Sequence, residues 1–245
     1  MKSLVVLVTA LLFWIPLANA AMPVSWPDLK DPEAADFEDP FAALGIRELR
    51  SLGTVLRLRK QLEQPGLAGS AQQEAEARLN NEEARLAAAG VQTDQLLSRR
   101  KEIGKKRAKA ALSGNAGLAG EEITITGYVI PVEPADGGPV VSGYLVPEAG
   151  MCSHMPAPDP NQMIRYKLDT DYTAEAIYEP VELTGRLSLT MTRQEIMLLD
   201  GQVEMLAAFE MNVTDVRPLD GDKSLGNRFL RFFKGRQKPV SSFHQ

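Results

Sequence analysis

"EEITITGYVIPVE", Glu121–Glu133, decides how the rest of the chain is read. Ile123 and Ile125 alternate with threonines, a period of two that marks a half-buried strand. Tyr128 and Ile130 continue the alternation in the opposite phase after Gly127, so a bulge is expected at that glycine. Similar short runs come after it: "PVVSGYLVPE" (139–148), "QMIRYKL" (162–168), "PVELTGRLSLT" (180–190) and "VEMLAAFEMNVTDVRPL" (203–219). A "DGG" turn (136–138) separates the first two, and the polar segment "RQEIMLLDG" (193–201) connects the last two. Five short strands with glycines at the bends (Gly127, Gly143, Gly185) suit a small closed or half-closed barrel. The OB-fold is the common five-stranded solution, with a mixed α+β sandwich as the fallback.

Upstream of this stretch the period changes. Residues 41–112 read as a helical arm. Ile46, Leu49, Leu52, Val55, Leu58 and Leu62 recur at three- and four-residue steps, one apolar stripe. Pro65-Gly66 ends that helix. A second helix runs from about Gln72 to Ala89, with Gly90 placed as its C-terminal cap. A third is expected to be capped by Thr93 or Asp94, with Leu96, Leu97 and Ile103 on its apolar face. The arm carries 14 basic and 8 acidic residues. Stripes this thin must pack on each other, on a partner or on the next domain. The run "RRKEIGKKRAK" (99–109) suits either an anionic surface or a solvated helix face. The small residues "SGNAGLAG" (113–120) read as a linker. Residues 21–40 form an acidic, proline-bearing lead, expected to be extended and mobile except where Trp26 and Leu29 tuck against a domain.

The chain opens "MKSLVVLVTALLFWIPLANA", residues 1–20: a positive residue, an apolar run shorter than a membrane span, then Ala18-Asn19-Ala20. This is a secretory signal peptide with cleavage expected after Ala20, and a bacterial periplasm is the natural destination. The exported chain of about 225 residues has 26 basic and 32 acidic side chains, which argues against nucleic acid as a partner. At the other end, residues 220–245 alternate Phe229, Leu230, Phe232 and Phe233 with Arg228, Arg231, Lys234 and Arg236. Such a tail suits peripheral contact with a membrane, or docking on its own domain.

Between the second and third strands lies "GMCSHMPAPDPNQ", Gly150–Gln162, with the chain's single cysteine and one of its two histidines. A lone thiol in an oxidising compartment is buried, metal-bound or reactive. Cys152 and His154 project to the same side of an extended backbone. Pro156, Pro158 and Pro160 stiffen the chain beyond them. Asn161 and Gln162 can bond stray backbone groups or a ligand. Three readings stay open. Thiolate and imidazole suit zinc or, with Met151 or Met155, copper, but a metal shell needs more donors, and Glu148 or Asp159 are the oxygen candidates. A cationic His154 can activate Cys152 as a nucleophile, although no orienting group or oxyanion hole is legible. Alternatively the loop is a structural turn, with Cys152 as a small buried hydrophobe.

Three segments carry a resemblance: "GYVIPVE" (127–133), "GYLVPEAGMCSHMPAPDPNQMI" (143–164) and "PVELTGRLSL" (180–189), together with the early "VSWPDL" (24–29). They resemble a bacterial secreted family, domain of unknown function 3299, over residues 24–40 and 121–219, leaving the arm outside. Ala157 and Asp159 stand where the family pattern has prolines. The resemblance implies an exported protein, often encoded near an ABC transporter of the MacB or lipoprotein-release kind and sometimes in zinc-responsive clusters. Its site residues would be Cys152, His154, Pro156, Pro158, Asn161 and Gln162. The function expected is a periplasmic non-enzymatic binding or adaptor module with a periplasmic or membrane protein as partner. A metal-handling protein using Cys152, His154 and Asp159, with zinc ahead of copper, and a thiol enzyme are the alternatives.

Overall fold

The computed structural model describes residues 20–132, 141–152, 155–174, 176–198 and 201–219. The leader, the 136–138 turn, His154 and the 220–245 tail lie outside the described residues. In chain order the elements are β1 (Met22–Pro23), α1 (Pro32–Ala35), α2 (Ile46–Leu62), α3 (Ser70–Ala88), α4 (Thr93–Leu112), β2 (Glu122–Pro131), β3 (Ser142–Val146), β4 (Ile164–Leu168), β5 (Glu179–Leu198) and β6 (Gly201–Pro218). The chain is α+β, with a mixed sheet of six strands.

β2 decides the sheet. Its first half alternates buried isoleucine with threonine, and both its edges are paired antiparallel, to β3 on one side and β5 on the other. β3 continues to β4, β4 pairs parallel with β6, and β6 returns antiparallel to β5. The pairings therefore run in a circuit from β2 through β3, β4, β6 and β5 back to β2. A circuit of this kind leaves no open edge where the strands are paired on both sides. The sixth strand, β1, comes from the lead and pairs parallel with β2 through Met22 and Pro23.

Several expectations are corrected. The register of β2 against β5 runs unbroken through Gly127, so no bulge lies there. Gly127 is instead a close-approach position: a Cβ would sit 2.8 Å from the Val146 carbonyl oxygen and 3.0 Å from the Trp26 ring. The irregularities fall between β5 and β6, at Thr184/Gly185 and Leu189/Thr192. The segment 193–201 is no connector: residues 193–198 and Gly201 belong to the paired strands β5 and β6, which run on past the circuit. The lead is not extended either. It holds a short 3-10 turn at Trp26–Leu29 and the single helical turn of α1, N-capped by the Asp31 carboxylate. Leu29 is fully buried, a contribution of about 1.5–3 kcal/mol relative to an exposed leucine. α4 starts at Thr93 without the side-chain cap expected from Thr93 or Asp94.

Two cores lie on opposite faces of the sheet, because neighbouring residues of a strand point oppositely. Val129 joins the first, with Ile123, Ile125, Leu145, Ile164, Leu183, Phe209 and Met211, and Leu29 and Leu118 pack into it from the lead and the linker. Ile130 joins the second, with Tyr144, Val146, Cys152, Met163, Tyr178, Ile196 and Met205. The loop and the far half of the hairpin thus cover the second face. The arm has a smaller core of its own, Leu52, Val55, Leu86 and Leu96. Arg59 of α2 ties that arm together through Glu83 of α3 at 2.6 Å and Asp94 of α4 at 2.5 Å.

Gly185 sits where β5 bulges against β6, and a Cβ there would enter the backbone of Asn212 and Val213. Gly185→Ala is expected to lower the unfolding free energy by about 1–3 kcal/mol, read from the urea midpoint. Gly53→Ala, where a Cβ meets nothing within 4 Å in a helix, should raise it by about 0.5–1 kcal/mol. Equal effects of the two would refute the packing account.

Candidate functional site

The Gly150–Gln162 loop leaves β3, closes on itself through a hydrogen bond from the Met155 N–H to the Gly150 carbonyl at 3.0 Å, and re-enters the sheet at β4. Cys152 takes a left-handed φ of 69°, which a side chain adopts only at a cost. Tyr178 does the same at 63°. The two are coupled: the Tyr178 hydroxyl donates to the Met151 carbonyl at 2.5 Å, and its N–H donates to Val129 at 2.7 Å. Packing in the second core holds both residues in place. Tyr178 is not legible in the sequence as a site residue, since a tyrosine just ahead of a strand carries no motif.

Cys152 is 8 % exposed. Burial pushes the pKa of its thiol up to about 11, so at neutral pH it is protonated. The thiolate is the form that attacks electrophiles and binds metals. Asp159 lies exposed at the start of a short 3-10 turn, its side chain making no cap. Among the described residues no group of three or more His, Cys, Asp or Glu side chains is placed to hold a metal ion, and His154 lies outside the described residues. Cys152 packs into the second core and Asp159 faces solvent. Pro156 is exposed and Pro158 half-buried along the stiff return of the loop.

The loop's end has a different role. Asn161 is completely buried. Its amide donates to the Ala110 carbonyl at 2.6 Å and the Ser113 carbonyl at 2.7 Å. Both belong to the C-terminal end of α4, where helical carbonyls lack intrahelical partners. The Ser113 carbonyl also accepts from the Asp31 N–H of the lead at 3.3 Å. Gln162 donates to the Trp26 carbonyl at 2.9 Å, and the Trp26 indole donates to the Thr126 carbonyl of β2 at 2.9 Å. Asn115 completes the junction, its amide donating to Asp28 and its N–H to Leu29. The 113–120 segment is therefore a fastened joint rather than a slack linker, and Gly120 donates to Leu187 of β5 at 2.7 Å. Of the six residues singled out in the sequence, Asn161 and Gln162 meet at this junction, while Cys152 packs into the second core.

The junction fixes the arm, and the arm carries an apolar concavity. It is a groove of about 470 Å³ between α2 and α4, lined by Leu49, Leu52, Leu56, Leu97 and Ile103, with Gly53 and Gly104 leaving it open and Arg100, Lys101 and Arg107 beside it. The sequence signal for it is a glycine in the middle of each of two otherwise striped helices.

Asn161→Ala removes a donor from each of the two carbonyls and is expected to cost about 2–4 kcal/mol in urea unfolding, with hydrogen exchange accelerating first in the last turn of α4. Asn161→Asp, which turns a carboxylate toward those carbonyls, should cost more, increasingly so above the carboxylate range; a tolerated Asp would refute the junction. Iodoacetamide at pH 8 should alkylate native Cys152 at least about a hundredfold slower than the urea-unfolded chain, the ratio expected when burial pushes the thiol pKa up to about 11. Equal rates would place the thiol in solvent.

No curated protein matches the chain. A crystal structure of a DUF3299 family protein from Pseudomonas aeruginosa PAO1 is similar to it at 19% identity, covering 83% of this chain and 99% of that one, with a TM-score of 0.41. The family model described as "Protein of unknown function (DUF3299)" matches residues 26–218, which takes in the helical arm as well as the lead and the sheet. The arm is thus part of the family's own extent, and the chain belongs to the DUF3299 family.

Proposed function

We propose that this chain is an exported, periplasmic, non-enzymatic binding or adaptor module that uses its helical arm to engage a protein partner, an ABC transporter being the partner class that the family resemblance suggests. The observation that carries this reading is the junction at Asn161: that side chain is spent on holding the end of the arm, and Gln162 beside it on holding the lead. A rigidly held helical arm with an open apolar groove suits a presenting element. The protonated, buried thiol weighs against a thiol enzyme built on Cys152. The leader 1–20 supports export to the periplasm.

The sheet is read as an OB-like barrel, supported by the closed circuit of β2, β3, β4, β6 and β5 and by its parallel β4–β6 pair. Small barrels of this kind commonly bind oligonucleotides on the face of their second and third strands. Here the corresponding outer face of β3, with Tyr144 and Val146, is packed beneath the chain's own loop and hairpin. The sheet unit, residues 121–219, also has 16 acidic against 5 basic side chains. Both features disfavour a polyanion there.

Site-specific photocrosslinking in cells tests the reading. A photoreactive residue at Arg78 or Lys101 of the arm is expected to give a discrete protein adduct, and one at Glu195 or Gln202 of the hairpin is expected to give none. Adducts confined to the hairpin, or absent from the arm, would overturn it.

A further inference from the structure

We propose that the α2/α4 groove is the docking site for an acidic amphipathic helix of a partner protein, an inference that rests on the binding-module reading and names the partner's chemistry. The groove floor is apolar and recessed: Leu52 and Ile103 are buried, while Leu49 at its mouth is 42 % exposed. Gly53 and Gly104 face it from opposite helices, and a Cβ built on either meets nothing within 4 Å. Missing side chains at these points let another backbone approach closely, and leucines spaced along α2 offer the pockets that a helix fills with its i, i+3, i+4 and i+7 residues.

The charge selects the occupant. α2 and α4 together carry twelve basic and three acidic residues. Arg107, at one end of the groove, is already paired with Asp39 at 2.6 Å and lies 5.6 Å over the Phe41 ring. Arg100 and Lys101 are exposed and have no ion-pair partner among the described residues. Complementary carboxylates on the incoming helix would meet these two cations, steering association and fixing its register. A second copy of this chain is disfavoured, because a twofold interface places a patch against itself and would stack two cationic walls. A lipid surface is disfavoured by shape: membrane-binding helices project an apolar ridge, whereas these apolar groups line a concavity.

The test pans a display library of amphipathic helical peptides against the chain without its leader, then measures the winners by fluorescence anisotropy. Enriched peptides are expected to be net acidic, to bind at least tenfold more weakly to the Gly53→Leu/Gly104→Leu double variant, and to lose a similar factor with Arg100→Glu/Lys101→Glu. The filled variant should stay folded, since leucine is the better helix former and both sites are open. Binders that are neutral or cationic, or that bind the filled variant unchanged, would overturn the proposal. So would cosedimentation with phosphatidylglycerol vesicles, or a concentration-dependent dimer, that is lost when the groove is filled. Arm crosslinks in cells that persist undiminished in the filled variant would refute the groove while leaving the binding module standing; the absence of any arm crosslink would remove the binding module itself.

Discussion

One buried carboxamide organises this molecule. Asn161 offers its two N–H bonds to two carbonyls at the end of α4, from a position with no access to water. Hydrogen bonds in such surroundings are worth more than exposed ones, and leaving one unmade is costly, so this pair specifies geometry as well as adding stability. The orientation of the amide is set by its partners: only the NH2 end can face two carbonyls. Because Asn161 stands between the loop and β4, the end of α4 is pinned to the sheet at one point. Gln162, Asn115 and Trp26 add the lead to the same point. The end of the arm, the lead and the return of the loop all meet there.

That junction explains how a chain with three thin-striped helices avoids exposing them loosely. The arm keeps a small core knitted by Arg59, and is anchored through Asn161 rather than through a broad apolar interface with the sheet. The sheet in turn buries both its faces, one around Leu29 and Phe209, the other beneath the Cys152 loop and the extended hairpin. Charge divides along the same line, since residues 41–112 have six more basic than acidic side chains and residues 121–219 eleven more acidic than basic. A field of this shape orients a charged partner before contact. The exposed, apolar-floored part of the molecule and its cationic part coincide on α2 and α4.

The elements themselves were largely legible. Alternation at Ile123 and Ile125, the stripe from Leu49 to Leu62 and the left-handed Gly90 are local properties, set by side chains within a few residues. The loop was legible as the place to look, because proline, cysteine and Asn-Gln cluster there. Its chemistry was not. Cys152 and His154 two residues apart suggest a ligand pair only if both face open space. Whether a thiol faces a cleft or a core depends on Tyr144, Met163 and Ile196, which arrive from three other segments. The phase change after Gly127 also misled: Val129 and Ile130 are both buried because each face of the sheet has its own core, not because the strand bulges.

By itself the sequence determined the helices, the strands and the family motif, since periodicity, turn residues and residue spacing are short-range and survive without knowledge of the fold. Only the tertiary structure decided what Asn161 and Gln162 bond, that β2 is paired on both edges, that the hairpin runs on past the circuit, and that two exposed glycines from separate helices open one groove. Each of these joins residues far apart in the chain, and a contact between distant residues is set by the packing of everything between them.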